Sequence, residues 1–328
     1  TTDSLSQQWG LFAQHELALT ERWQVTAGAR LDYYDVTAKD PLPPVGFEAA
    51  EDSYNDWLSA ISLSSQYQLS TAVMVYASAY ESDSTSNSMA GGTVLNANQV
   101  IDSQNFATEN TLYEIGIKIA PVNSRWYTDV VVFDQTRSLR NRDGSNSGIA
   151  TQGVEAQWNY RSENGFWATL AASYLDAHYD NSAAFQDTRQ VADLFDNSRP
   201  DIINGTGVGA PNFAAFPASS QRLQGVPEVQ ASAVAGWQLT PQWSVGGDLS
   251  YTQSYPLDYL QTVMIRDQYM LNLNATYQVT AQLSARLDVF NATDEENWSP
   301  VFEGGYFGST LAFPSLPRHA QLTVDYRF

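Results

Sequence analysis

The sequence predicts an all-β fold, an antiparallel outer-membrane β-barrel wall, and three observations carry that reading. Side chains alternate strictly between apolar and polar over strand-length stretches, connections alternate between short and long, and aromatic residues gather beside the short connections. The last nine residues show the first most clearly. Ala320, Leu322, Val324, Tyr326 and Phe328 fall on one side of an extended strand, and Gln321, Thr323, Asp325 and Arg327 fall on the other.

The same period of two recurs along the chain and gives about thirteen strands. Trp23, Val25, Ala27, Ala29, Leu31 and Tyr33 interleave with Gln24, Thr26, Gly28, Arg30, Asp32 and Tyr34. Tyr113, Ile115, Ile117 and Ile119 interleave with Leu112, Glu114, Gly116 and Lys118. Val154, Ala156, Trp158 and Tyr160 alternate with Gly153, Glu155, Gln157 and Asn159, and Tyr269 to Val279 repeats the pattern. The second face carries the polar groups each time, as a barrel between lipid and water requires.

Short connections lie near Thr20 to Arg22, Leu69 to Thr71, Pro121 to Ser124, Ser162 to Gly165, Thr240 to Gln242 and Val279 to Gln282. Long ones lie near Asp35 to Asp56, Ser82 to Thr108, Leu139 to Ile149, Asp176 to Val226, Tyr255 to Asp267 and Asn291 to Leu316. Short periplasmic turns and long extracellular loops have this asymmetry, so the final strand runs down to the periplasm. Trp23, Tyr67, Trp126, Trp167, Trp237, Trp243 and Tyr277 stand next to the short turns, where an interfacial girdle needs them.

Composition agrees. Charged residues make up 16% and aromatic residues 12% of 328 residues, against about 25% charged in a soluble domain. No run approaches the roughly 18 apolar residues of a spanning helix, so a membrane crossing would use a closed sheet. The net charge of -20 argues against nucleic acid as a partner. The absence of cysteine removes disulfides and thiolate chemistry.

No catalytic constellation emerges, and the reading is of a protein that is not an enzyme. His15, His178 and His319 are far apart in sequence and read as polar wall residues, and no Ser, His and orienting group are proposed together. Acidic loop residues, such as Asp187, Asp193, Asp196 and Asp201, suit either a solvated surface or calcium. No metal site and no cofactor is assigned. Arg137, Arg140 and Arg142 cluster where a strand rises into a loop; they suit either pairing with loop acids or a positive patch for an anionic ligand such as a ferric chelate. Loop aromatics, notably Trp298, Tyr306 and Phe307, suit either local loop cores or stacking on a ligand ring.

Several segments, in order along the chain, resemble the TonB-dependent receptors. Gly28, Arg30 and Asp32 match a Gly-x-Arg-x-Asp pattern, and Tyr113 to Lys118, with Glu114 and Gly116, matches Tyr-Glu-x-Gly-x-Lys. Gly153 to Glu155 and Val226-Pro227 match later strand openings, Asn291 and Asp294 match an Asn-Leu-x-Asp stretch with Ala292 in place of Leu, and Pro317, Arg318 and Phe328 match the C-terminal signature. The resemblance implies an outer-membrane, TonB-coupled uptake receptor for a scarce nutrient, a ferric siderophore first, with cobalamin, haem or a glycan as alternatives and a passive porin as a different class. It also implies contact with outer-membrane lipid and lipopolysaccharide, with TonB through an N-terminal plug, and with the barrel-assembly machinery through the C-terminal strand. The expected organisation is residues 1–328 as the C-terminal portion of the barrel domain, about thirteen strands of a 22-stranded barrel, with plug and early strands absent and the sheet incompletely closed. Open edges are expected at Gln7 to Leu19 and at Arg318 to Phe328.

Overall fold

The structure is a computed structural model. It describes residues 3–42, 48–85, 95, 99–103, 106–140, 146–179, 185–189, 212–216, 222–223, 225–256, 264–302 and 311–328, with the backbone alone for 138–140, 146–147, 185–189, 212–216, 300–302 and 311–312.

Among the described residues nineteen strands run in chain order: β1 (Asp3–Thr20), β2 (Trp23–Asp40), β3 (Ala50–Ser70), β4 (Val73–Thr85), β5 (Ala107–Ile119), β6 (Trp126–Arg140), β7 (Asn146–Arg161), β8 (Phe166–Tyr179), β9 (Phe185–Arg189), β10 (Asn212–Phe216), β11 (Val229–Gln238), β12 (Trp243–Thr252), β13 (Tyr255–Pro256), β14 (Met264–Ile265), β15 (Gln268–Gln278), β16 (Leu283–Phe290), β17 (Trp298–Phe302), β18 (Leu311–Pro314) and β19 (His319–Tyr326). Thirteen of them form one antiparallel sheet in the order β1-β2-β3-β4-β5-β6-β7-β8-β11-β12-β15-β16-β19. Each neighbour in space is the next wall strand in sequence. The remaining six pair as three hairpins, β9 with β10, β13 with β14 and β17 with β18, inside the long connections. The sheet is open, since β1 and β19 do not pair with one another.

The short turns share a local design. Gln238 and Gln278 end their strands and are followed two residues later by Thr240 and Thr280, and Gln68 stands two residues before Ser70, the last residue of β3. The hydroxyls of Thr240 and Thr280 each accept two turn amides, from Gln242 and Trp243 at 3.2 and 3.0 Å and from Gln282 and Leu283 at 3.2 and 3.1 Å. The Gln238 and Gln278 amides donate to the Thr240 and Thr280 carbonyls at 2.6 and 2.7 Å. Turn groups that a ladder leaves unpaired are thus satisfied by side chains two residues away.

One face of the sheet carries most of the large exposed apolar residues, among them Leu31, Ile61, Leu63, Ile115, Leu170, Leu249, Leu273 and Leu322. This is the lipid face. On it, Trp23, Tyr67, Trp126, Tyr160, Trp237, Trp243, Tyr277 and Tyr326 form a row beside the short turns, and Trp9, Tyr33, Trp57, Tyr113, Tyr174, Tyr251 and Tyr269 form a second row above. Ring pairs such as Trp243 with Tyr277 at 4.6 Å and Tyr33 with Trp57 at 5.1 Å knit each row. Trp23 and Tyr33 are ten residues apart on β2; at about 3.3 Å per residue and a tilt of about 40°, the rows stand about 25 Å apart, the height of an outer-membrane apolar band.

The structure differs from the sequence reading in two respects. Trp167 pairs with Arg161 and Gly236 on the opposite, lumen face, and Phe166 takes the girdle position, 6.4 Å from Trp237. The ladder between β2 and β3 also continues past Asp35, through Val36↔Tyr54 and Ala38↔Asp52 to Asp40↔Ala50. At 21 residues, β3 is about twice as long as a spanning strand needs to be, so the wall projects above the bilayer.

Candidate functional site

The lumen face is the candidate site. It is built from recurring seats in which a glycine on one strand receives a large side chain from its neighbour. A Cβ on Gly153 would lie 2.6 Å from Cζ of Phe133, and one on Gly236 would lie 2.6 Å from Nε1 of Trp167. Gly116 is overlain by the ring of Tyr76, and Gly10 by the carboxylate of Asp32. At Gly116, Gly153 and Gly236 an aromatic ring occupies the place of a Cβ, so only glycine allows that close approach.

These seats explain the motif residues. Arg30 donates from Nε and Nη2 to the two carboxylate oxygens of Asp32, each at 2.6 Å, and Gln8 donates to Asp32 at 2.9 Å. A Cβ on Gly28 would lie 2.7 Å from the Ser62 hydroxyl. Arg286 and Asp288 repeat the Arg-x-Asp fork on β16, with Nη2 to Oδ1 at 2.7 Å. A fork between residues i and i+2 works because both point to the same side of a strand. Glu114 accepts from the Ser78 hydroxyl at 2.8 Å, and Lys118 sits 5.5 Å from the Tyr76 ring centroid. Lys118 therefore meets a ring rather than a carboxylate, and Arg327 has no acidic partner among the described residues.

At the extracellular end, two segments from the long connections pack onto the lumen face. Ile101 and Phe106 join Val36 and Ala38, all at most 5% exposed, with Tyr34, Tyr54 and Leu95 around them. Leu223 joins Ile149, Ala177 and Tyr179, with Val226 against them. The Asp52 carboxylate fastens the first segment by accepting the Ile101 amide at 2.7 Å. The Tyr54 hydroxyl donates to Asp56 at 3.2 Å, and the Tyr54 ring lies 4.9 Å from Phe106. Burial first, and the neighbouring Asp56 second, push the Tyr54 phenol above its ordinary range. The connections thus turn into the mouth and narrow it.

The C-terminal motif residues tie this rim together. Asn291 is 1% exposed and has a positive φ of 49°, a conformation that Asn tolerates. Its amide donates to the carbonyls of Glu295 and Leu316 at 2.8 and 3.1 Å, and its Oδ1 accepts the Glu295 amide at 2.9 Å. Asp294 accepts the Arg318 amide at 2.8 Å, and its other carboxylate oxygen lies 3.9 Å from the Arg318 guanidinium. Pro317 offers its carbonyl to the His319 ring at 2.8 Å, and Phe328 closes edge-on against Tyr326 at 5.2 Å. These residues fix loop to wall.

Among the expected ligand contacts, Arg137 pairs with Ile149 on the lumen face at the upper end of β6; it is exposed and has no ion pair among the described residues. Arg140 pairs with Asn146 in the backbone ladder; its side chain, and all of Arg142, Tyr306 and Phe307, lie outside the described residues. Trp298 begins the β17–β18 hairpin opposite Pro314 and is 37% exposed. Among the described residues there is no group of three or more His, Cys, Asp or Glu placed to hold a metal ion.

A girdled wall with a polar lumen face and inward-turned extracellular segments defines an outer-membrane receptor or channel barrel. The family model for the TonB dependent receptor-like β-barrel matches residues 1–292, and the chain belongs to that family, which places it in the outer membrane of a Gram-negative cell. Three solved structures share its fold: the siderophore receptor PiuA from Acinetobacter baumannii (TM-score 0.76, 15% identity, covering 99% of this chain and 44% of that one), the ferric-catecholate import receptor Fiu from Escherichia coli K12 (0.71, 17%, 100% and 45%) and the ferric yersiniabactin uptake receptor FyuA from Yersinia pestis (0.72, 14%, 100% and 46%). The chain spans less than half the length of each. No curated protein matches it in sequence.

Proposed function

We propose that this chain is the C-terminal wall of a TonB-coupled active uptake receptor whose cargo is a ferric siderophore or a similar iron complex. The observation that carries the reading is the extracellular mouth. There, connection segments fold inward onto the lumen face at two places, and Arg137 stands exposed and without an ion pair among the described residues, in a chain whose net charge is -20. A lone guanidinium in an acidic surround is a contact for an anionic chelate.

In this reading the remainder of the receptor polypeptide fills the lumen as a plug and contacts TonB. Lipopolysaccharide surrounds the upper girdle, and the barrel-assembly machinery takes β19 with its terminal Phe328. The reading is tested by binding to the full receptor of a panel of ferric chelates, cobalamin and oligosaccharides. A ferric chelate is expected to bind, and Arg137→Glu to weaken it by roughly tenfold or more, the loss of one charge-assisted hydrogen bond. Binding of cobalamin or a glycan alone overturns the assignment of cargo.

A further inference from the structure

Between its two aromatic rows the lipid face is not level. Strand pairing sets Ala156 of β7, Ala172 of β8 and Ala231 of β11 side by side, with Val154 and Tyr174 in the row above and Trp158 and Leu170 in the row below. At a strand spacing of about 4.8 Å, three methyl side chains thus form a floor between ridges of larger residues. The trench has a volume of about 380 Å³, and Leu249 and Tyr251 of β12 bound its far side.

The trench is closed towards the cell exterior and open towards the periplasm. Tyr251 stands beside Ala231 with its ring 4.9 Å from that of Tyr269, and Tyr174 stands beside Val229, so the upper aromatic row shuts that end. Downwards, β11 presents only Ala233 and Ala235 to the lipid before Trp237, and Ala235 lies between Ala168 and Gly247. The depression therefore continues to the periplasmic row. Charge has the same polarity. Directly above the trench the outer face carries Asp134, Gln152 and Asp176 in one row, with Gln152 donating to Asp134 at 2.7 Å. Arg222, which meets His178 in the same region, is held by Glu228 at 3.3 Å. The periplasmic turns and strand ends below carry Arg125 and Arg161 against Glu163.

We propose that this trench holds one acyl chain of a phospholipid of the periplasmic leaflet. Three observations select that occupant. The trench lies within the apolar band, where acyl chains are the solvent; its open end faces the periplasmic headgroups; and a phosphate is repelled at the acidic upper end but not at the arginine-bearing lower one. A lipid A molecule would bring its phosphates against Asp134 and Asp176, and a second copy of the chain would bring the same two acids against them. A chain lying between fixed ridges makes dispersion contacts on two sides, so it leaves more slowly than lipid over the level surface near Leu31 or Leu322. The site rests on the outer-membrane wall alone and holds whatever the cargo is.

The test weighs the full-length receptor, extracted from outer membranes in mild detergent, by native mass spectrometry and identifies the lipid it retains. One phospholipid per barrel is expected. Its retention should fall roughly tenfold in Ala233→Phe, whose ring fills the trench, and stay unchanged in Ala27→Phe on the lipid face of β2. Heat-modifiable migration establishes that each barrel is folded. A second measurement needs no filled trench. Single-tryptophan receptors keeping Trp158 or Trp23 are loaded with brominated phospholipid and moved into vesicles of unbrominated phospholipid; Trp158 is expected to stay quenched after Trp23 has recovered. Retention of lipid A, of a second copy or of no lipid overturns the site, as does equal retention in folded Ala233→Phe or recovery of Trp158 together with Trp23.

Discussion

Trp167 and Gly236 face one another across the β8–β11 ladder, and a Cβ on Gly236 would stand 2.6 Å from the indole Nε1 and 2.7 Å from Cε2. The smallest residue on one strand thus holds one of the largest from the next. Gly236→Val is expected to cost about 1–3 kcal/mol, the usual penalty for overpacking. Adding Trp167→Ala should recover most of it, since the clash then has no second party. Urea unfolding of the folded receptor in vesicles checks both; a double variant as unstable as the sum of the singles contradicts the seat.

The face assigned to Trp167 has its own consequence. In single-tryptophan variants reconstituted with brominated acyl chains, Trp23, Trp237 and Trp243 should be quenched strongly and Trp167 weakly. Equal quenching of Trp167 would return it to the girdle.

Asn291 joins three backbone groups of its loop, and its left-handed backbone suits Asn. Asn291→Ala leaves those groups unpaired near the extracellular rim, so a loss of about 1–3 kcal/mol is expected. Asn291→Asp should retain the acceptor and lose the two donors, an intermediate effect. Proteolysis of the rim in intact cells reads the order of the three proteins.

A pH dependence follows from Tyr54, which lies well above the apolar band. Its phenol titrates above the ordinary tyrosine range because burial, and next the Asp56 carboxylate, penalise the phenolate. The folded value exceeds the unfolded one, so this contribution to the mouth cluster is complete below about pH 10 and is lost as pH rises through the folded value. Hydrogen exchange at the Ile101 amide, which Asp52 holds, should stay slow until that limb, and Tyr54→Phe should shift the limb or remove it. An unchanged limb in Tyr54→Phe would show that another group sets it.

Alternation made the wall legible in the sequence, because a period of two in Trp23 to Tyr34 or Tyr113 to Lys118 fixes which residues share a face. The turn design is also present in the sequence, as Gln-x-Ser/Thr at Gln68, Gln238 and Gln278. Trp167 misled because Phe166 and Trp167 are both aromatic, so alternation alone gives either one to the lipid. The glycine seats and the clamp at Asn291 depend on register between strands distant in sequence, and no local pattern encodes that pairing. The mouth clusters lay beyond reach for the same reason: Val36 meets Ile101, and Ile149 meets Leu223, only after long connections fold back.

Uptake of radioactive iron by the full-length receptor, offered as a ferric chelate to starved cells with and without TonB, decides whether this wall belongs to an energised importer. The expected result is saturable uptake in TonB-bearing cells and background uptake without TonB. Equal uptake in both would make the wall that of a passive channel and contradict the account.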